Sequence, residues 1–167
     1  QITNTITGKY VNEKIGNLIQ IVSMPLEVTY QYDRIKRLLL SKEFNKIPLS
    51  ALKYTSLYPL NSNNEIISLN EGGTPLYRSS TLYNKYGLAS LYFKYEGLNP
   101  TGAFKDRGSL VEVTKAKEYG AKAVVLASTG NMAASVSAYC GKAKIPCYVF
   151  VPEITPEAKL AQIAFYG

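Results

Sequence analysis

The chain has no histidine and no tryptophan, and only two of its 167 residues are cysteine. Without histidine there is no Ser-His catalysis and no imidazole metal site, and two thiols are too few for a structural zinc centre, so no metal is expected. Acid–base chemistry is left to lysine, carboxylates and tyrosine. Cys140 and Cys147 fall at the end of an expected helix and the start of an expected strand, and read as structural thiols rather than a disulfide. No apolar run approaches the roughly 20 residues that span a bilayer, and residues 1–8 are polar where a signal peptide has its apolar core. The expectation is a cytoplasmic chain without membrane contact.

A basic block is also missing. The net charge is +7, but the 19 Lys and Arg residues are spread along the chain, and "RIKR" at 34–37 reads as the polar side of a short helix. Attraction of an anionic small molecule is a more economical use of that charge than nucleic-acid binding. With 46% hydrophobic residues, the length suffices for one ordinary core, or one domain and part of another.

The first 70 residues carry little functional signal: short strands are expected at 17–22 and 26–30, a helix over 33–44 and an exposed loop at 61–65. From Ser90 the pattern alternates between strand and helix. Strands are expected at 91–95, 123–127 and 148–151, with helices reaching Tyr119, over 131–143 and over 156–166. The last two strands are continuous apolar runs, which predicts a parallel α/β sheet with helices on both faces and right-handed crossovers.

Two segments carry chemistry. The first, "NPTGAFKDRG" at 99–108, passes two turn signals, Asn-Pro and Thr-Gly, and enters a helix closed by Gly120. Lys105 therefore lies in the first helical turn, where the partial positive charge of a helix N-terminus disfavours an ammonium ion. A neutral amine is a nucleophile, which makes Lys105 the candidate reactive group. The plainer alternative is a solvated lysine with Asp106 beside it as a dipole-compatible acid. The second segment, "ASTGNMAASVSAYCG", ends a strand at Ala127 and starts a helix of small residues after a Ser128-Thr129-Gly130-Asn131 turn. In open α/β sheets ligands bind at the carboxyl ends of strands, and a helix start offers free N–H groups to a carboxylate or phosphate. The competing reading is a plain cap by Ser128 or Thr129. A dinucleotide fold, with Glu153 as its terminal acid, is disfavoured, because its fingerprint needs three glycines and "STGNMA" has only Gly130.

Together with "EGGTPL" at 71–76, these segments in this order resemble the threonine synthases, pyridoxal-phosphate enzymes of fold type II with a tryptophan synthase β-like architecture. The resemblance extends from about Asn70 to Gly167. It implies pyridoxal 5'-phosphate as cofactor, Lys105 as the Schiff-base lysine with Phe104 seating it, and Asn131 as the hydrogen-bond partner of the cofactor's phenolic oxygen. Ser128, Thr129, Gly130 and Asn131 correspond to the loop that receives the substrate α-carboxylate. The implied reaction converts O-phospho-L-homoserine and water to L-threonine and phosphate, with the freed Lys105 amine as base. A related threonine or serine dehydratase is the alternative within the cofactor class, and a non-catalytic binding or assembly domain the alternative outside it. Upstream, "IVSMP" stands where many family members have a cysteine-containing element, so a metal ribbon is not expected.

The chain divides into an N-terminal region, 1–76, and a small α/β cofactor-binding domain, 77–167. The family's glycine-rich phosphate loop has no counterpart; the adjacent pair Gly72 and Gly73 belongs to a turn before Thr-Pro. With Gln1 in place of an initiator methionine, the chain reads as a fragment that neither turns over substrate nor holds the cofactor tightly. Its incomplete sheet would expose an edge that a second copy, as a homodimer, could conceal.

Overall fold

The computed structural model describes residues 2–4, 26–61 and 63–166. The strand expected at 17–22 lies outside them. Strand β1 (Ile2–Asn4) pairs antiparallel with β2 (Leu26–Val28), Ile2 opposite Val28. The helix expected over 33–44 is two helices, α1 (Tyr32–Leu39) and α2 (Lys42–Lys46). The break falls at Ser41, whose extended backbone lets its hydroxyl accept from Phe44 N–H at 3.1 Å. A serine able to cap starts a new helix more readily than it continues an old one. Phe44 is buried with its ring 5.8 Å from that of Tyr54, in the 3-10 helix Ala51–Leu57.

Strand β3 (Leu76–Arg78) pairs antiparallel with β4 (Tyr92–Lys94), with the short helix α3 (Leu82–Lys85) between them. The segment expected at 91–95 is thus a strand, but its partner is β3 and not the parallel sheet. Apolar pattern marks a strand without naming the distant segment it joins.

The parallel pair follows. Helix α4 (Asp106–Glu118) ends at Tyr119, and Gly120, at φ +66°, supplies the left-handed residue that closes it. Strand β5 (Val124–Ala127), helix α5 (Asn131–Ala143) and strand β6 (Cys147–Phe150) form a β-α-β unit, with Val124 opposite Cys147 and Ala127 opposite Phe150. Helix α6 (Glu157–Phe165) completes the described chain.

Helix α5 is the centre of the core. Nine of its thirteen residues are buried, among them Ala133, Val136, Tyr139 and Cys140, because α4 and α6 pack on it and its other side lies on β5 and β6. Small side chains allow these close approaches, and a helix buried nearly all round shows no clean polar face. A Cβ at Gly141 would stand 2.6 Å from Tyr166 O, so that glycine admits the end of α6. Ala51 and Ile67 join the same cluster from the N-terminal side, with Leu110 and Val113 from α4.

Burial alternates along β5 and β6. Val124, Leu126, Cys147 and Val149 turn toward α5, whereas Val125 (62% exposed), Tyr148 (58%) and Phe150 (66%) do not. The continuous apolar runs lead to the expectation of cover on both faces; the described helices cover one. Both cysteines are free, and burial, with Cys147 beside it, pushes the Cys140 thiol up to about 12. That keeps it protonated and chemically quiet.

Candidate functional site

The turn before α4 is closed by a backbone hydrogen bond and by the Asp106 side chain folding back on Thr101 N–H. Asn99 O accepts from Gly102 N–H at 2.8 Å, and Gly102 sits at φ +80°, a conformation that glycine adopts without a Cβ penalty. Lys105 then occupies the N-cap position: its backbone is already helical, and its carbonyl accepts from Gly108 N–H (2.9 Å) and Ser109 N–H (3.0 Å). The side chain is half-buried. Its Nζ stands 4.9 Å from the centroid of the Phe104 ring, close enough for a cation–π contact, and that ring is 58% exposed.

Below Lys105, the fully buried Asp106 accepts from Thr101 N–H (2.8 Å), from the Thr101 hydroxyl and from Ser135 Oγ (2.6 Å) on α5. The hydroxyls of Ser135 and Ser109 lie 2.7 Å apart. Ser109 is four residues after Lys105, and Ser135 four after Asn131. Residues four apart share a helix face, so these contacts bring the starts of α4 and α5, and with them Lys105 and Asn131, to one end of the helix pair.

At that end α5 opens without a side-chain cap. Gly130 holds the N-cap position, and the first intrahelical bond is Ala134 N–H to Gly130 O at 3.3 Å. The amides of residues 131–133 therefore precede the helical hydrogen-bond ladder, the condition under which a helix start binds anions. Ser128 Oγ accepts from Gly130 N–H at 3.3 Å, which shapes the turn and leaves the helix amides alone. Thr129 is half-buried and Asn131 exposed.

A second polar cluster lies behind the lysine turn. Arg107 grips Glu96 with two N–H···O bonds, Nε at 2.7 Å and a terminal nitrogen at 2.8 Å. Glu96 also accepts from Thr74 Oγ1 (2.6 Å) and Asn99 Nδ2 (2.9 Å), and Asn99 Oδ1 accepts from Gly72 N–H (2.9 Å). The Arg107 hydrogen bonds, with Thr74 and Asn99 adding to them against the opposing effect of burial, hold the Glu96 carboxyl at about 2. Deeper still, buried Glu71 accepts from Leu69 N–H (2.9 Å), Ser68 Oγ and the Tyr139 hydroxyl, whose own titration burial and Glu71 drive upward. The segment 71–76 is in this way tied both to α4 and to α5.

Phe104, Lys105 and 128–131 stand out in the sequence, whereas the parts of Glu71, Glu96, Thr101, Arg107, Ser135 and Tyr139 appear only in the folded chain. For Ser135 a signal was available, since Ser109 and Ser135 repeat at the same four-residue offset from Lys105 and Asn131. A 490 Å³ cleft lined by Thr29, Tyr30, Gln31, Arg34, Ile35, Leu38 and Ser56 does not include Lys105. Among the described residues no group of His, Cys, Asp and Glu could hold a metal, and no helix is long and apolar enough to cross a membrane.

Residues 67–167 match the family of pyridoxal-phosphate dependent enzymes. The threonine synthase of Methanocaldococcus jannaschii is 44% identical over 143 residues, which is 85% of this chain and 35% of that protein. That of Methanosarcina acetivorans is also 44% identical over 143 residues, 85% of this chain and 34% of that protein. The chain thus spans about a third of the length of the curated relatives it matches. Among solved structures, a pyridoxal 5'-phosphate-dependent aspartate racemase superposes with a TM-score of 0.53 at 33% identity, covering 56% of this chain and 30% of that one. Maize serine racemase gives 0.52 at 33% identity, with 56% and 29% covered. A lysine at a turn-to-helix junction, an uncapped helix start beside it and these matches lead to one conclusion: the chain belongs to the pyridoxal-phosphate dependent enzyme family.

Proposed function

We propose that this chain carries the lysine-bearing part of a threonine synthase, the enzyme that converts O-phospho-L-homoserine and water to L-threonine and phosphate. The observation that carries this reading is the extent of the match to the Methanocaldococcus enzyme. At 143 residues it is longer than 67–167 can supply, so it reaches into the N-terminal region, whereas the racemase structures cover little more than half of the chain.

The residues present fit pyridoxal phosphate at its aldehyde and ring. The amine of Lys105 would bond the aldehyde, the exposed Phe104 ring lies 4.9 Å from that amine and would seat it, and the exposed Asn131 amide would suit the phenolic oxygen. The cofactor supplies an electron sink for negative charge formed on the substrate carbons. With pyridoxal phosphate bound, the Lys105 amine would hold the aldehyde and, when free, would take the substrate α-proton, so one side chain would serve as anchor and base. The amides of 131–133 with Ser128 and Thr129 receive the substrate α-carboxylate, since a helix start carries partial positive charge and unpaired donors.

In the full-length enzyme, Lys105→Ala should lower turnover by roughly a thousandfold or more, because base and anchor leave together. Phosphate release from O-phospho-L-homoserine is the assay, and borohydride reduction with cofactor should label Lys105. Label on another lysine would remove Lys105 from the role. Formation of an oxo acid and ammonia from threonine or serine, without phosphate release, would replace the synthase by a dehydratase.

A further inference from the structure

A buried carboxylate needs its lone pairs met, and a cation is the usual partner. Asp106 is fully buried, yet among the described residues no cation pairs with it; hydroxyls and one amide serve instead. These donors differ in what they join. The two from Thr101 close the turn over 101–106 by themselves, and the start of α4 already favours an acid there. Ser135 adds nothing to that turn. It comes from 29 residues away, and with Ser109 it is the polar bond between α4 and α5 one turn below Lys105 and Asn131.

We propose that Asp106 is a positioning residue which, by binding Ser135, fixes the separation between the Lys105 amine and the Asn131 amide. This rests on the assignment of those two groups to the cofactor. Pyridoxal phosphate carries its aldehyde and phenolic oxygen at fixed places on one rigid ring, so a Lys105 amine and an Asn131 amide that hold them would have to keep one spacing. A helix pair free to slide would satisfy one anchor at a time. A hydrogen-bonded carboxylate resists sliding better than an apolar contact, which tolerates small shifts.

The test uses the full-length enzyme. Ser135→Ala removes the bond between the helices and leaves both Thr101 bonds in place. Ser137→Ala is the matched control: Ser137 is equally buried on the same helix, and its hydroxyl lies 3.9 Å from Cys147 Sγ, outside the network. Each variant is reduced with borohydride in the presence of pyridoxal phosphate. Label on Lys105 is measured by peptide mass, normalised to the fraction folded by circular dichroism, and the absorption of the bound cofactor is recorded. Ser135→Ala should lower Lys105 labelling roughly tenfold or more and shift the absorption, since small misplacements of reacting groups are costly. Ser137→Ala should match the unsubstituted enzyme. If Ser135→Ala does not fold, Ser135→Cys, of similar size but a weak donor, takes its place. Equal labelling of the Ser135 and Ser137 variants overturns the positioning role and leaves Lys105 as the anchor. Label on a different lysine in the unsubstituted enzyme overturns the anchor assignment, and the proposal with it.

Discussion

Arg107 meets Glu96 through two parallel hydrogen bonds, and the carboxylate is 26% exposed, so solvent weakens the pair without dissolving it. The Glu96 carboxyl is held at about 2, against an ordinary value of 4.5. A folded value below the unfolded one means that the stabilisation is fully present above pH 4.5 and is lost as pH falls toward 2. Glu96→Gln should therefore flatten the dependence of the urea midpoint on pH across that window. A variant with the parent slope would show that the pair adds nothing to acid stability. The same scale explains the adjacent glycines of "EGGTPL". Gly72 and Gly73 lie at φ +85° and +62°, and a Cβ on them would stand 2.4 Å from Ala51 N and 2.2 Å from Leu49 O. The sequence shows a turn there; that the turn lies against the backbone of 49–51 is visible only in the folded chain.

Helix α5 runs over 131–143, the bounds that its small and apolar residues predict, because local pattern and caps set the limits of a helix. Helix α4 likewise reaches the expected Tyr119 and Gly120. Pattern does not say which elements touch. Gly141 reads as one more small residue, but its hydrogen faces Tyr166 O at the end of α6. Gly141→Ala should cost about 1–3 kcal/mol, the usual penalty for overpacking. A lowered thermal midpoint is the expected result, and an unchanged one would mean that α6 moves aside freely. The break at Ser41 has the opposite lesson. The leucine-rich surroundings read as one continuous helix over 33–44, and the cap that Ser41 gives to Phe44 N–H divides it in the folded chain.

At the scale of the whole molecule, the face of β5 and β6 that no described helix covers carries Val125, Tyr148 and Phe150, and the loop after β6 adds Ile154 at 92% exposure. An apolar patch of this kind promotes association. This chain alone should elute as aggregates or oligomers, and Tyr148→Lys with Phe150→Lys should shift it toward monomer in light scattering. The paired strands themselves are kept by these changes, because both side chains point away from the core. An unaltered mass distribution would place the sticky surface elsewhere, the exposed rings of Tyr92, Phe93 and Tyr95 being the next to change.

The sequence by itself determined the alternation of strand and helix after Ser90, the lysine at a turn-to-helix junction, and the helix of small residues that starts after the turn at 128–131. Each of these is written in neighbouring residues: turn formers, caps and the periodicity of apolar positions. The tertiary structure alone decided that β4 pairs with β3, that Glu96 takes Arg107, that Glu71 takes Tyr139 and that Asp106 takes Ser135. A polar side chain shows in sequence only that it needs a partner. Which partner it finds depends on how the helices and loops between them pack, and the separation of 29 residues between Asp106 and Ser135 is bridged by β5 and the crossing of α4 on α5.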